Sequence, residues 1–239
     1  MSADVASEGN SGADVRTKVQ NLKKVFNPKS VAIVGASSES GKVGYQVLNN
    51  VIKNGFKGKV YPINKKATEI LGVSCFPTVS ACPTDVDFAV IAVPAPMVEG
   101  VLKECAQKNV KGAVIITSGF SEIGKKKEEQ ALKDIADKHD IALLGPNTFG
   151  FVYTPSNLNA SFGPQNVTPG KIAFISQSGA LGISLMGWTM MEKIGLASVV
   201  SLGNKADIGE KELIEYFNDD PNVSVILIYM EGIKDGRQF

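Results

Sequence analysis

The sequence predicts an α/β protein built on a doubly wound parallel sheet, and two observations support this fold class. Short apolar runs rich in Val, Ile and Ala alternate with segments of helical periodicity along most of the 239 residues. Each run is apolar at nearly every position, which is typical of a parallel strand covered on both faces. Alternation of strands and helices then implies parallel strands joined by helical crossovers.

Five strands and three helices are predicted in a first domain over residues 21–153. The helical patterns cover residues 44–54, 96–109 and 125–138, and each places its apolar residues on one stripe. The strand candidates are SVAIVG (30–35), KVYPIN (59–64), VDFAVIAVP (86–94), GAVIITSG (112–119) and IALLGP (141–146).

A connector rich in Pro, Asn and Gly, residues 154–170, separates this series from a second one. Three strands are too few for an independent doubly wound domain, so we expect residues 171–239 to form an incomplete one. The polar residues 1–20 have little to bury, and we expect them to be a disordered tail. The later strand candidates are KIAFIS (171–176), ASVVSLG (197–203) and NVSVILIYMEG (222–232).

Composition excludes several classes of protein. The chain has 44% hydrophobic and 21% charged residues, which is typical of a globular cytoplasmic protein. Its formal charge of +1 argues against nucleic acid or membrane partners. No apolar run approaches the roughly 20 residues that span a bilayer. Three cysteines without a C-x-x-C pair and one histidine, His139, predict neither a disulfide framework nor a metal site.

The first strand leads into the loop GASSESGKVG (35–44), which precedes a helix. A loop of this kind points backbone N–H groups and a helix dipole at an anion. Its glycines, Gly35, Gly41 and Gly44, do not match the G-x-G-x-x-G spacing of dinucleotide-binding folds. No hydroxyl residue follows the lysine, so the loop does not match G-x-x-x-x-G-K-[ST] either. We predict a longer, serine-rich phosphate loop, with a ligand-free turn as the alternative.

Two lysines, Lys65 and Lys66, stand at the tip of the second strand, where NAD-binding folds place an acidic residue. Their charge favours a ligand with a phosphate on its ribose, either NADP or coenzyme A. A solvated charged turn is the alternative. Three further loops, AVPAPMV (92–98), TSGFSE (117–122) and GPNTFG (145–150), lie at predicted strand ends, where open parallel sheets bind ligands.

Seven motifs in this order carry a family resemblance. They are SVAIVGASSESGKVG, VYPINKKATEILG, FAVIAVPAP, AVIITSGFSE, LLGPNTFGF, KIAFISQSGALG and VSLGNKADI. Over roughly residues 22–239 the chain resembles the CoA-binding part of NDP-forming acyl-CoA synthetases. That family includes ADP-forming acetyl-CoA synthetases and is related to the succinyl-CoA synthetase alpha subunit. The resemblance implies a Rossmann-like CoA-binding domain followed by a truncated flavodoxin-like, succinyl-CoA synthetase-like α/β domain.

The resemblance also implies which residues bind CoA. Asn147 would lie where the thiol arrives, and Thr148 stands where the succinyl enzymes often have Cys, so a thiol role there does not carry over. The pantetheine arm would pass Val93, Pro94, Thr117, Ser118 and Gly119. The first loop would hold CoA through Ser37, Ser38, Glu39 and Ser40, with Gly35 and Gly41 shaping the turn. The family's lysine at the tip of the second strand matches Lys66 best, with Lys65 as its neighbour.

The motif SQSGAL (176–181) joins a strand to a helix and offers hydroxyls and free N–H groups to an anion. By resemblance, Ser176, Ser178 and Gly179 hold phosphate there, and Glu231 orients a phosphorylated histidine. From the residues alone, Glu231 is an acid at a strand end, and a helix cap or a solvent contact is the alternative. A serine hydrolase is the competing interpretation of the motif, but the chain lacks G-x-S-x-G.

The resemblance implies the reaction acid + CoA + ATP ⇌ acyl-CoA + ADP + phosphate, through an acyl phosphate and a phosphohistidine. The family's histidine lies beyond the strand ending near Glu231, and this sequence holds none there. His139 lies in the first domain and is expected to cap a helix. We therefore expect an N-terminal fragment that binds CoA and is inactive alone. An ATP-grasp domain or beta subunit would bind ATP or ADP with Mg, a small carboxylic acid would be the substrate, and the enzyme would be a homo- or hetero-oligomer.

Two other functions stay open on the sequence. One is a CoA sensor, or the CoA-binding part of a fused protein acetyltransferase. The other is an NADP-dependent oxidoreductase, which the two lysines favour and the glycine spacing opposes. The acyl group is not fixed, since acetate, propionate, hydroxy acids and aryl acids all fit the motifs.

Overall fold

The structure is a computed structural model that describes residues 11–233 and residue 236. This part of the chain forms two five-stranded sheets, a short hairpin and six α-helices. The helices are α1 (Ser11–Phe26), α2 (Val43–Lys53), α3 (Ala95–Gln107), α4 (Lys126–Lys138), α5 (Gly179–Met191) and α6 (Glu210–Asn218). The strands are β1 (Ser30–Val34), β2 (Lys59–Ile63), β3 (Glu69–Ile70), β4 (Val73–Ser74), β5 (Phe88–Ile91), β6 (Gly112–Ile115), β7 (Ala142–Leu144), β8 (Gly150–Tyr153), β9 (Leu158–Ser161), β10 (Pro169–Ser176), β11 (Leu196–Ser201) and β12 (Val225–Tyr229).

The first sheet has the order β2-β1-β5-β6-β7, and all of its strands are parallel. This confirms the five strands predicted from apolar runs, and β1, β5 and β6 are buried along their whole length. Parallel strands place all their carboxyl ends at one edge of the sheet. The phosphate loop and the loops at 92–98, 117–122 and 145–150 therefore meet at that edge.

The second sheet has the order β12-β10-β11-β8-β9, and β10, β11 and β12 are parallel as predicted. The hairpin β8–β9 joins it in antiparallel pairing, which the sequence prediction missed. The predicted connector over 154–170 is therefore wrong at β9, and β8 belongs to the second sheet although it was predicted in the first domain. The sequence prediction missed β9 because this strand contains polar residues. Asn159 and Ser161 are nevertheless fully buried, and Ser161 Oγ donates to Asn159 Oδ1 at 2.6 Å.

Helix α1 overturns the predicted disordered tail over residues 11–20, while residues 1–10 of that tail lie outside the described residues. Its last turns bury Leu22, Val25 and Phe26 completely. Lys18 also lies buried and donates to the carboxylates of Asp137 and Asp207. The polar segment at the start of α1 is thus held by the ion pairs of Lys18 and by the buried apolar residues that follow it. The composition of residues 1–20 indicates neither contact, because both partners lie elsewhere in the chain.

The layers alternate through the molecule. Helices α3 and α4 cover one face of the first sheet, and α5 covers the outer face of the second sheet. Helices α1, α2 and α6 lie between the sheets and contribute to one hydrophobic cluster with strands of both. Phe26 is at its centre, with ring centroids 5.0 Å from Phe151 and 4.8 Å from Tyr216. The two sheets therefore share a core. None of the described helices is long and apolar enough to cross a bilayer.

Candidate active site at the carboxyl ends of the strands

A cavity of about 740 Å³, which we call the loop cavity, opens where β1, β2 and β5 end. The phosphate loop forms one side of it and the start of α3 forms the other. Helix α2 begins at this loop, and its first turn receives no side-chain cap, so backbone N–H groups face the loop region. The predicted binding residues among its lining are Gly35, Ser37, Glu39, Lys65, Val93 and Pro94, and Lys42 also lines it.

Two glycines give the phosphate loop its shape. Gly35 has φ +92°, and a Cβ there would lie less than 3.0 Å from the carbonyl oxygen of Ala92. A Cβ at Gly44 would lie less than 3.0 Å from the carbonyl oxygen of Gly35. The start of α2 and the end of β1 thus touch through their backbones, which only glycine permits. No atom lies within 4 Å of a Cβ built at Gly41, so this position does not require glycine.

The serines of the loop differ in placement. Ser37 lies in the loop cavity, and its Oγ accepts a hydrogen bond from the Glu39 backbone N–H at 3.1 Å. Ser38 and Ser40 are exposed and do not line the cavity, and neither does Gly41. The structure therefore brings part of the predicted set together around the cavity.

The two lysines at the tip of β2 differ in position relative to the loop cavity, and not in the order that the resemblance implies. Lys65 lines the loop cavity, whereas Lys66, the residue favoured by resemblance, does not. Asn64, which sequence reasoning missed, fixes this turn: its Oδ1 accepts from Lys66 N at 2.8 Å and its Nδ2 donates to Ala36 O at 2.8 Å. The sequence feature that could have indicated this role is an amide residue placed directly after β2 and before the two lysines.

A second cavity of about 480 Å³, the junction cavity, borders the first, since Ala92 and Val93 line both. It lies between the first sheet and the amino end of α5. Thr117, Ser118 and Asn147 line it as predicted, while Gly119 lies outside it and donates its N–H to Glu122. The two adjacent cavities, which we call the path, therefore reach from the phosphate loop to Asn147 and Gly179, and both of these residues line the junction cavity.

Asn147 is held from the second domain by a residue that sequence reasoning missed. It has φ +61°, and its Nδ2 donates to Asn204 Oδ1 at 3.2 Å. Asn204 in turn donates to Glu122 at 2.6 Å and to Glu129 at 2.7 Å. Burial alone would raise the pKa of Glu122, but hydrogen bonds from Gly119 N–H and Asn204 hold that pKa below its usual value. Asn204 stands in the motif VSLGNKADI, to which no role was assigned.

Thr148, next to Asn147, has a structural role. Its Oγ1 donates to Ser201 O at 2.7 Å and accepts from Gly150 N at 3.0 Å, and the residue is buried. It ties the end of the first domain to β11.

The SQSGAL motif forms the turn between β10 and α5. Ser178 is the N-cap of α5, and its Oγ accepts from Leu181 N at 3.3 Å. Gly179 begins the helix and lines the junction cavity. Ser176 is completely buried and donates its Oγ hydrogen to Ser178 O at 2.8 Å, so it shapes the turn from within. The cradle available to an anion is therefore Ser178, Gly179 and the free N–H groups of the first turn.

Gln177 connects this turn to Glu231, an arrangement we call the Gln177 clamp. Its Oε1 accepts from Glu231 N at 2.8 Å and from Gly232 N at 3.1 Å, and its Nε2 donates to Gly232 O at 2.8 Å and to Glu210. Lys205 Nζ lies 3.0 Å from both Glu210 Oε1 and Gly232 O. The predicted Glu231 is exposed and is thus held by its backbone beside the α5 turn.

His139 lies at the C-cap of α4, where its N–H donates to Ile135 O at 3.2 Å, as expected from the sequence. It belongs to none of the cavities lined by the candidate residues. Within the described part of the chain, no group of three or more His, Cys, Asp or Glu side chains is placed to hold a metal ion.

Two family models match the chain. Residues 29–154 match a CoA binding domain, and residues 169–239 match a succinyl-CoA ligase-like flavodoxin domain. Both matches agree with the fold class predicted from the sequence and seen in the two sheets.

Curated relatives and solved structures agree with these matches. The alpha subunit of ADP-forming acetate–CoA ligase I from Pyrococcus furiosus is 56% identical over 225 residues, which cover 92% of this chain and 49% of the relative. The ADP-forming 4-hydroxybutyrate–CoA ligase of Nitrosopumilus maritimus is 39% identical, over 90% of this chain and 31% of that protein. The structure of dinucleotide-forming acetyl-coenzyme A synthetase 1 from Candidatus Korarchaeum cryptofilum, in complex with phosphate and ADP, has a TM-score of 0.89 at 52% identity, covering 90% of this chain and 47% of that one.

The chain spans about half the length of the alpha subunit that it matches. Its similarity extends over nine-tenths of its own residues. The resemblance seen in the seven motifs is thereby confirmed, and the chain belongs to the family of ADP-forming acyl-CoA synthetases.

Proposed function

We propose that the protein is the CoA-binding part of an ADP-forming acyl-CoA synthetase. Such an enzyme interconverts acid, CoA and ATP with acyl-CoA, ADP and phosphate. One observation carries the proposal: the loop cavity and the junction cavity lie side by side, share Ala92 and Val93, and together reach from the phosphate loop to Gly179 of the anion cradle. A long ligand with phosphates at one end and a reactive thiol at the other fits that path.

The residues along the path have distinct tasks in this proposal. The backbone of the phosphate loop, with Lys42 and Lys65 beside it, binds the phosphates of CoA. Val93 and Thr117 border the pantetheine arm, and Asn147 lies at the thiol end. Gly35, Ser37, Glu39, Pro94 and Ser118 complete the proposed CoA set, whereas Ser38, Ser40, Gly41, Lys66 and Gly119 lie outside both cavities.

The proposed reaction of acyl-CoA with phosphate takes place in the junction cavity. A phosphate oxygen attacks the thioester carbonyl of acyl-CoA, the C–S bond breaks, and acyl phosphate and CoA result, with a proton taken up by the thiolate. The N–H groups at the start of α5, next to Ser178, stabilise the phosphate charge. The next step moves the phosphoryl group to a histidine, which Glu231 orients; the chain's single histidine, His139, is not placed for it, so the relay needs one from elsewhere.

We propose the remaining features from the relatives. An ATP-grasp domain or beta subunit supplies the site for ATP or ADP with Mg, and the assembly is a homo- or hetero-oligomer in the cytoplasm. The substrate is a small carboxylic acid, as the names of the acetate and 4-hydroxybutyrate ligases indicate for those relatives. These relatives favour the synthetase over a fused acetyltransferase, a CoA sensor or an NADP-dependent oxidoreductase.

Parallel calorimetric titrations with CoA, dephospho-CoA and NADP test the proposal. We expect CoA to bind most tightly, dephospho-CoA more weakly because it lacks the ribose phosphate, and NADP not at all. Binding of NADP in preference to CoA would contradict the proposal and would support a reductase.

The two lysines at the tip of β2 give a matched pair of variants. We expect Lys65→Ala to weaken CoA by about 1–2 kcal/mol, because it removes a charge-assisted contact to a phosphate. Lys66→Ala should have a smaller effect, since this side chain does not line the loop cavity. Dephospho-CoA should bind the Lys65→Ala variant and the unchanged protein equally. A larger loss in Lys66→Ala than in Lys65→Ala would contradict the placement in the structure.

The Gln177 clamp gives a prediction for the phosphate relay. In the intact enzyme, we expect Gln177→Leu to slow phosphohistidine formation from acyl-CoA and phosphate by about 10- to 100-fold, the usual range for a lost supporting hydrogen bond. The physical reason is that the backbone carrying Glu231 loses two acceptor contacts. The affinity for CoA should not change. The matched control is Gln130→Leu on α4, whose amide contacts only Asp134 at 2.8 Å and should leave the rate unaltered.

A further inference from the structure

We propose that Phe162 and Ile183 form a wall that limits the size of the acyl group, and this inference rests on the proposed function. The acyl carbon must move between the CoA thiol, near Asn147, and a phosphate on the cradle at Gly179. Both residues line the junction cavity. The acyl tail therefore has to lie in this cavity as well, and its walls determine which tails fit.

The wall has a second cavity behind it. Among the described residues, Phe162 and Ile183 line both the junction cavity and a neighbouring cavity of about 380 Å³. We call the latter the amide cavity, because Gln46, Asn49 and Gln165 contribute to its lining. Only these two apolar side chains therefore contribute to both linings, and shortening either one is expected to join the two spaces.

The amide cavity is a stable feature of the fold. Asn50 is 3% exposed, and its Nδ2 donates to Ser161 O at 2.8 Å and to Gly163 O at 3.0 Å. Its Oδ1 accepts from Gln165 Nε2 at 2.8 Å. Helix α2 and the segment after β9 are thus held together by buried amides, so the space does not close when the wall is changed.

The two cavities differ in chemistry. The junction cavity is lined by apolar side chains such as Val43 and Phe149, and no lysine, arginine or histidine of the described chain lines it. A short apolar acyl tail fits there, whereas a second carboxylate would lie there without a cationic partner. The amide cavity offers hydrogen-bond donors and acceptors. A longer tail with a hydroxyl at its end would find partners in the amide cavity if the wall were opened.

The test uses Ile183→Ala in the intact enzyme, because Ala is a good helix former and Ile183 is only partly buried. Leu185→Ala is the matched control, on the same helix, partly buried, and outside both cavities. The readouts are kcat/KM for acetate and for 4-hydroxyphenylacetate, together with calorimetric titration of CoA. Phe162→Ala serves as a second variant from the opposite side of the wall.

We expect Ile183→Ala and Phe162→Ala to raise the ratio of kcat/KM for 4-hydroxyphenylacetate to that for acetate by about 10- to 200-fold, the range for a change of this size in an apolar pocket. Leu185→Ala should leave the ratio unchanged. A ratio that stays within twofold in both wall variants, while CoA still binds, would overturn the wall and leave the proposed function standing. Failure of the unchanged protein to bind CoA would overturn both.

Discussion

Replacing Lys18 by methionine is expected to lower the free energy of unfolding by about 3–5 kcal/mol. The ammonium group of Lys18 pairs with Asp207, whose side chain is 1% exposed, and lies 2.6 Å from Asp137. Burial alone would lower the pKa of Lys18, but the attraction of the two carboxylates raises that pKa well above its usual value. Removing the lysine leaves the buried carboxylate of Asp207 with Lys133 as its cationic neighbour, 4.0 Å from its Oδ1, and losing the nearer partner costs more than the pair itself contributes.

The measurement is urea unfolding of the variant and of two comparison proteins. Lys133→Met is the control, because Lys133 pairs with Asp137 at 2.6 Å where both side chains are about one-third exposed and comes only to 4.0 Å from Asp207, and exposed pairs contribute roughly 1 kcal/mol or less. Adding Asp207→Asn to Lys18→Met should recover part of the loss, since the buried charge disappears while the oxygen still accepts from Leu143 N. Equal destabilisation by Lys18→Met and Lys133→Met would refute the buried-pair argument.

Replacing Gly44 by alanine is expected to weaken CoA binding by roughly 10- to 100-fold, the effect of losing one hydrogen bond to a charged phosphate. The new Cβ would lie less than 3.0 Å from the Gly35 carbonyl oxygen, which is backbone and cannot rotate away. Either β1 and α2 separate or the phosphate loop shifts, and both displace the N–H groups that face the phosphates. Overpacking of this kind also destabilises a protein by about 1–3 kcal/mol.

Gly41→Ala is the matched control in the same loop. Nothing lies within 4 Å of a Cβ at Gly41, so alanine is expected to leave both CoA affinity and stability nearly unchanged. Calorimetric titration with CoA and urea unfolding measure the two quantities. If Gly41→Ala reduced CoA affinity as much as Gly44→Ala, backbone contact at Gly44 would not be the cause.

Three parts of the site were predictable from short stretches of sequence. The phosphate loop follows an apolar strand and precedes an amphipathic helix, so strand-end chemistry predicted a ligand loop there, and the family resemblance named Gly35 and Ser37, which line the loop cavity. The same reasoning placed Val93 and Thr117, because parallel strands end at one edge. The N-cap at Ser178 was readable from the order strand, Ser-x-Ser-Gly, helix. Each of these inferences depends on residues close together in the chain.

Other parts depend on residues far apart in the chain. Lys18 and Asp207 are 189 positions apart, and their pairing holds helix α1 in place where part of a disordered tail was predicted. Asn147 and Asn204 are 57 positions apart and meet because the loop after β11 runs beside the end of β7.

The alternation of apolar runs and helical stripes was sufficient to predict two doubly wound series, because the period of a strand or helix is a local property. The packing of those series on a shared layer of helices was decided by the tertiary structure alone. That packing aligns the loop cavity with the junction cavity and puts Phe162 next to Ile183. Burial and hydrogen bonding between distant segments set these choices, and no local pattern of residues encodes them.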